Sequence, residues 1–334
     1  VKSAVTVYRD VQTAFVEELR CILESGENVE VRGYSTRELL ARLVEISDIR
    51  SRQVIVTNRH NNVFASIAES MWVICGRNDL EYLGAYLKRA SEFSDDGTTW
   101  RAGYGPRIRN WNGIDQISEV VRILRADPLS RRAVIGIYDP DRDFVESRDV
   151  PCNNWLHFLV RDGKLHLHVA ARSTDIWWGF SGINAFEWTV LLEMMSRWLG
   201  YEPGHLVFFS SSMHLYERHF DRAERVVNAN RETVDGGSSG VRALFDTDWE
   251  DSAGELREWM RLENGLRSGE RLVDLEPSLT DPLLLAFIRM IELFWSAQNG
   301  VERNVLNRLV QGVGDHDLEA AAVEFLGRSR RGAH

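Results

Sequence analysis

The feature that most limits the fold of this chain is a hairpin written into its middle. Trp155 to Val160 and Leu165 to Ala171 are short runs of strand-forming residues that flank Arg161-Asp162-Gly163-Lys164. An Asp-Gly pair supplies the left-handed backbone of a two-residue turn, so the two runs must lie antiparallel and adjacent. His166 and His168 alternate with apolar residues in the second run, the pattern of a half-buried strand. Further strands are expected over Arg132 to Tyr138 and Leu206 to Ser211.

Helical signals surround these strands. Tyr8 to Glu24 places Val11, Phe15, Leu19 and Ile22 on one face. Ser35, with Glu38 at the capping-box position, predicts the start of a second helix. Val63 to Ile74 reads as a strongly apolar helix ending at Gly76, and Asp79 starts another through Ala90. Ile114 to Arg125 is stopped by Asp127-Pro128, Asn184 to Leu199 by Gly200, and His214 to Asn228 reads as one more helix. Ser91 to Asn112 has no clean period and is expected to be a long ordered loop. Residues 1–230 are therefore expected to form one mixed α+β domain, a sheet surrounded by helices. Arg231 to Gly240 is a polar joint, and 231–334 is expected to be a helical extension: Trp249 to Leu266, Pro282 to Asn299, Val301 to Val313 and Leu318 to Leu326, with Gly327 to His334 fraying.

Composition narrows the class. The chain has 334 residues, 44% hydrophobic and 27% charged, with a net charge of −10. That excludes a disordered chain and argues against a general nucleic-acid or membrane binder. No apolar window is long enough for a membrane span, and Val1 to Asp10 lacks a signal-peptide core. Cys21, Cys75 and Cys152 make neither a disulfide framework nor a zinc site, so a reducing, cytoplasmic setting without a metal is expected. Lys2, Lys88 and Lys164 are the only lysines. The arginine bias fits a high-GC genome, of actinobacterial type, but arginine is also the better bidentate phosphate clamp.

Few residues here can carry chemistry. Cys21 and Cys75 lie in helical apolar patterns and read as core. Cys152 lies instead on the polar segment Val150-Pro151-Cys152-Asn153-Asn154 at the mouth of the hairpin, where a thiol can act as a nucleophile. Asp127-Pro-Leu-Ser-Arg131-Arg132 and Arg172-Ser173-Thr-Asp175 each offer guanidinium groups with a hydroxyl, a set that suits a phosphate monoester. Either cluster alone is more often surface ion pairing. His214 and Tyr216 lie two apart and can bond a sugar hydroxyl. Glu69 sits in Ala68-Glu69-Ser70-Met71-Trp72, an apolar helix where a carboxylate is costly and needs a partner or a role.

Taken together, these stretches resemble the thymidylate synthase family, including its pyrimidine nucleotide hydroxymethylases, over roughly residues 15–225. Glu69-Ser-Met-Trp72 with Gly76, Gly103-Tyr104-Gly105, the Arg131-Arg132 pair, Pro151-Cys152, Arg172 to Asp175 with Gly179 and Asn184, Leu199-Gly200-Tyr-Glu-Pro-Gly204 and His214-Leu-Tyr216 follow one another in the family's order. The resemblance implies a thymidylate synthase-like fold and a homodimer whose two sites borrow arginines from each other. It also implies a pyrimidine nucleoside monophosphate substrate, with 5,10-methylenetetrahydrofolate as one-carbon donor. By the same resemblance Cys152 adds to pyrimidine C6, Glu69 polarises the base and moves protons, and Tyr104 helps remove the C5 proton. Arg131, Arg132, Arg172 and Ser173 hold the phosphate, the Arg131-Arg132 pair reaching that of the other subunit, with Arg32 a further candidate. Asn184 reads the base, His214 and Tyr216 hold the sugar, and Asp175, Phe93 and Trp100 lie on the folate side.

Three departures from the synthase point to water rather than hydride as the final reactant. Asn153 stands where the synthase has a His after its Cys. Ala90-Ser-Glu-Phe93 replaces a pair of tryptophans on the folate side, and the chain runs on to a polar, basic end, Arg328-Ser-Arg-Arg-Gly-Ala-His334, without an apolar plug. The expected activity is therefore 5-hydroxymethylation of CMP or dCMP, as in nucleoside-antibiotic pathways. C5 methylation or hydroxymethylation of dUMP, and a non-catalytic nucleotide-binding module, are the alternatives. The Asn184 amide pairs with uracil in one orientation and with cytosine when flipped, so it does not choose between them. Loss of the His at position 153 favours cytosine. Asn184 also fits the family pattern only if one extra residue is allowed between it and Gly179.

Overall fold

A computed structural model describes residues 5–231 and 240–328 of the chain. The first strand, β1 (Thr6–Tyr8), leads into helix α1 (Val11–Ser25), which Asp10 caps by accepting the Thr13 N–H at 2.8 Å. Strands β2 (Glu27–Val31) and β3 (Tyr34–Ile46) follow, then α2 (Val63–Ile74), α3 (Leu80–Tyr86), a 3-10 turn at Ala90–Phe93, α4 (Tyr104–Arg109) and α5 (Gln116–Ala126). The middle holds β4 (Val134–Gly136), α6 (Pro140–Asp143), β5 (Asn153–Arg161), β6 (Lys164–Ala171) and β7 (Thr174–Asp175). A π-helix (Ile176–Asn184) then runs directly into α7 (Ala185–Leu199), followed by β8 (Glu202–Tyr216) and α8 (Phe220–Ala229). Helices α9 (Trp249–Arg267), α10 (Pro282–Gln298), α11 (Arg303–Gln311) and α12 (His316–Arg328) make up the rest.

The strands form a single mixed sheet in the order β1-β3-β8-β6-β5-β4, with β2 on β3 and β7 on β8. The central hairpin is as the sequence predicts: β5 pairs antiparallel with β6, and Asp162 and Gly163 turn at φ 51° and 73°. Helices α1 and α7 cover one face of the sheet, packing on β3, β8 and β6. Leu156, Phe158, Leu165, Leu167, Leu206 and Phe208 point into that layer and are buried. Their neighbours on the opposite face alternate with them and include His157, His166, His168 and His205. Trp155 stays 39% exposed and Leu40 69% exposed.

Two sequence expectations fail. Ser35 does not cap a helix: Tyr34–Ile46 is a thirteen-residue strand. Arg32 and Gly33, at φ 53° and 77°, make a two-residue turn from β2, and β3 then pairs with β8 from Thr36↔Tyr216 to Ile46↔Leu206. Long-range pairing overrides the local cap signal. For the same reason the segment from His214 is not the start of a helix. His214 and Tyr216 complete β8, where His214 pairs with both Glu38 and Asp175, and α8 begins only at Phe220. The expected loop 91–112 is ordered and contains α4. Buried Arg107 anchors that helix by bonding the Ile137 carbonyl at 2.7 Å and the Asp143 carboxylate at 2.6 and 2.8 Å.

Every residue of α2 is buried, and packing on both sides explains why this helix is apolar all round. α7 lies against it from the sheet side, and α10 and α12 cover it from outside. Phe64 meets Phe294 and Phe325, and Phe186 on α7 meets Phe287 on α10 at 5.8 Å between ring centroids. The extension therefore shares one continuous core with the preceding helices. The joint expected at Arg231 to Gly240 lies, over 232–239, outside the described residues, as do 329–334 of the expected frayed end.

Candidate functional site

Cys152 immediately precedes β5 and is a free, half-buried thiol. The end of the neighbouring strand holds this segment in place. The Arg172 backbone N–H donates to the Cys152 carbonyl at 2.9 Å. Its guanidinium donates to the carbonyls of Pro151 at 3.0 Å and Val150 at 2.9 Å, and to Ser173 Oγ at 3.2 Å. The β5–β6 pairing thus puts the thiol beside a guanidinium and a hydroxyl at one end of the pair, and the last two are the set that suits a phosphate monoester.

Asn153 is fully buried. Its side-chain Nδ2 donates to Tyr104 Oη at 2.7 Å and its backbone N–H donates to the same oxygen at 3.3 Å. Tyr104, at the N-terminus of α4, stacks on Trp188 of α7 at 5.7 Å and 29°. Burial pushes the Tyr104 hydroxyl well up, the charges of Cys152 and Glu187 push the same way, and the two Asn153 donors oppose them. With Oη already accepting two hydrogen bonds, its own proton remains free to point at a ligand.

Beneath this edge lie two buried carboxyls on adjacent helices. Glu69, in the apolar α2, is 9% exposed, and burial pushes its carboxyl up to about 8. Glu187, one turn into α7, is 0% exposed and is raised well above the usual carboxylate range by burial and by Glu69. Glu69 Oε2, Glu187 Oε1, Asn153 Oδ1, Thr174 Oγ1 and Trp188 Nε1 are all buried without a hydrogen-bond partner. Buried polar atoms without a protein partner are uncommon and call for an explanation, and Asn153 Oδ1 is next in sequence to the thiol. Sequence reading found Glu69 and missed Glu187, although the signal is the same: a carboxylate in an otherwise apolar helix, here Phe186-Glu187-Trp188.

Asn184 ends the π-helix, is 8% exposed and donates Nδ2 to Glu187 Oε2 at 3.4 Å. A π-turn takes up one more residue than an α-turn. The extra residue that separates Gly179 from Asn184, relative to the family pattern, is thus accommodated inside a helix that delivers Asn184 to the head of α7. Ser66 Oγ holds this turn to α2 through the Gly182 carbonyl at 2.6 Å.

His214 and Tyr216 share one side of β8, their rings 5.2 Å apart, and Tyr216 lies within electrostatic reach of Cys152 and Asp175. Burial lowers the His214 imidazole. Asp175 accepts the Trp177 N–H at 2.9 Å and caps the π-helix beside His214. Trp100 bridges buried Trp72 and Phe93, which is 49% exposed, in edge-to-face contacts of 5.7 and 6.5 Å. Arg32 sits exposed at the tip of the β2–β3 turn. Arg131 and Arg132 are exposed and are not brought to Cys152. Ala133 bonds Phe158, six residues along β5 from the thiol. At strand rise that is about 20 Å. Cys21 and Cys75 are half-buried, like Cys152, rather than core residues, and burial raises Cys21 and pushes Cys75 up to about 12. Among the described residues there is no cluster of metal-ligating side chains, and no helix is long and apolar enough to cross a membrane.

Residues 13–239 match the family model described as thymidylate synthase. Among curated proteins the chain is 35% identical over 214 residues to the deoxyuridylate hydroxymethyltransferase of Bacillus phage SP01, covering 60% of this chain and 56% of that one. It is 31% identical over 266 residues to the deoxyuridylate hydroxymethyltransferase of Delftia phage PhiW-14, covering 75% and 72%. It is 33% identical over 216 residues to that of Pseudomonas phage M6, covering 61% and 62%. The chain thus spans less than two thirds of the length of two of these relatives.

Proposed function

Because the chain belongs to the thymidylate synthase family, we propose that it places a hydroxymethyl group on C5 of a pyrimidine nucleoside monophosphate, with 5,10-methylenetetrahydrofolate as one-carbon donor. We take the base to be uracil, and deoxyuridylate to be the substrate. The observation that carries this reading is the convergence of Cys152, Tyr104 with Asn153, and Arg172 with Ser173 at one end of the β5–β6 pair, with the buried carboxyls of Glu187 and Glu69 within electrostatic reach of Tyr104 and of each other. The three phage relatives, all named for action on deoxyuridylate, support hydroxymethylation and uracil.

The roles are those that the family resemblance implies for these residues, and the geometry is compatible with them. Cys152 Sγ bonds to C6, and the displaced electron pair makes C5 a carbon nucleophile. C5 bonds to the methylene carbon of the folate, and the C5 proton then leaves to a water that the Tyr104 hydroxyl, held by the two Asn153 donors, orients. Expulsion of tetrahydrofolate leaves an exocyclic methylene. Water adds to it, Sγ leaves C6, and the folate is not oxidised. Glu69, neutral below about pH 8, donates towards the C4 side of the base. Arg172 and Ser173 hold the phosphate, with Arg32 reaching in from its turn, and His214 and Tyr216 hold the sugar. Asp175, Phe93 and Trp100 border the folate. Replacing Cys152 by Ala is expected to abolish release of tritium from C5-labelled dUMP while nucleotide binding persists. Undiminished release would sink the covalent reading.

One observation favours the cytidine nucleotides expected from the sequence. Asn153 Oδ1 is a buried, unpartnered acceptor beside Cys152, and an acceptor suits an exocyclic amine. Labelled CMP and dCMP beside dUMP separate the two readings.

We further propose a homodimer with shared sites. Arg131 and Arg132 lie far from Cys152 of their own chain, and on the sheet face away from α1 and α7 Trp155 and Leu40 stay exposed. Mixing an inactive Cys152→Ala protein with an inactive Arg131→Ala/Arg132→Ala protein should restore roughly a quarter of the wild-type rate by statistical pairing. No restoration after subunit exchange would contradict shared sites.

A further inference from the structure

Asn184 is the residue expected to read the base, yet its amide is two-faced, and something else must set which end faces which atom. Glu187 follows it by three residues, so both side chains lie on the same face of α7. Glu187 Oε2 accepts the Asn184 Nδ2–H at 3.4 Å, and Glu187 is fully buried, so no water competes for that bond. Turning the amide over would set two oxygens against each other unless the Glu187 proton moved to Oε2. We propose that Glu187 is a positioning residue that fixes the orientation of the Asn184 amide and thereby sets the site's preference between a 4-oxo and a 4-amino pyrimidine.

The inference rests on the pyrimidine reading above. With Nδ2 held towards Glu187, the amide presents one oxygen and one N–H to the ligand in a fixed order. For uracil, Nδ2 donates to O4 and Oδ1 accepts N3–H; the reversed amide reads cytosine. The groups that act on Glu187 from neighbouring elements are Glu69 on α2 and Tyr104 on α4, together with Asn184 itself. Burial and the Glu69 charge push the Glu187 carboxyl towards its neutral form, and of its two oxygens Oε2 accepts from Asn184 while Oε1 is buried without a protein partner.

The test is the ratio of kcat/KM for dUMP to that for dCMP, read by C5 tritium release. In Glu187→Leu the amide turns freely, and the ratio is expected to fall at least about tenfold. Glu187→Gln keeps a carbonyl acceptor at the same reach and is expected to retain the ratio within about threefold. A purely structural role lowers both rates together and leaves the ratio unchanged, and that result in a folded Glu187→Leu protein would overturn the proposal. If the Leu variant does not fold, Glu187→Ala is read in the same way. A wild type that does not discriminate also overturns it. A wild type that releases no tritium from any nucleotide defeats the proposed function instead, and the ratio of dUMP to dCMP binding constants, by equilibrium dialysis, then tests Glu187 by the same criteria.

Discussion

A carboxyl that folding strips of water keeps its proton, and at the residue scale Glu69 shows how burial becomes chemistry. Its carboxyl is pushed up to about 8 from the ordinary 4.5. Between those values the folded protein holds a proton that the unfolded chain has released. Stability therefore falls as pH rises through this window, by up to about 1.4 kcal/mol per pH unit for this one group. Glu69→Gln removes that dependence. Urea unfolding at pH 5, 6, 7 and 8 should show a flatter profile for the variant, and a slope equal to wild type would contradict the burial account. The same substitution should lower turnover, because an amide cannot pass a proton. The stability that Glu69 costs is the kind of local strain on folding that active sites retain for function.

At the element scale, the π-helix is the device that sets Asn184. Deleting one residue from Ile176–Asn184, such as exposed Trp178, should let the segment close as an α-helix and turn Asn184 away by about 100°. Activity should fall by about 100-fold or more while α7 and the fold survive. Retained activity, measured beside a circular dichroism spectrum, would show that the π-turn is dispensable. The sequence made some elements legible and hid others for physical reasons. Asp162-Gly163 announced its hairpin because a two-residue turn needs left-handed backbone, and the capping residue Asp79 acts locally. Ser35 misled because a cap signal is local, whereas β3 is fixed by pairing with a strand more than 150 residues away. The π-turn left only an awkward spacing, and Glu187 was hidden because base contacts and helix burial were read separately.

At the scale of the whole molecule, the division proposed at residue 230 is one of sequence organisation, while the core runs through it. Phe287, 1% exposed on α10, packs on Phe186 beside Glu187. Phe287→Ala should cost about 3–5 kcal/mol of stability, measured by denaturant unfolding. A loss below about 1 kcal/mol, within the range of ordinary surface substitutions, would mean that the extension is only loosely attached. The extension thus braces α2 and α7, the helices that carry Glu69, Asn184 and Glu187, and stands behind the site through the helical layer. The order of residues from Glu69 to Tyr216 was readable because each motif is short and local. The distance of Arg131 and Arg132 from their own Cys152 is in line with the resemblance, which assigns that pair to the phosphate of the other subunit. The central claim, hydroxymethyl transfer to C5 through Cys152, is tested most directly by incubating the full chain with C5-tritiated dUMP and 5,10-methylenetetrahydrofolate and weighing the product. Tritium release, a 5-hydroxymethyl nucleotide and no dihydrofolate absorbance are expected. A 5-methyl product with stoichiometric dihydrofolate would contradict it.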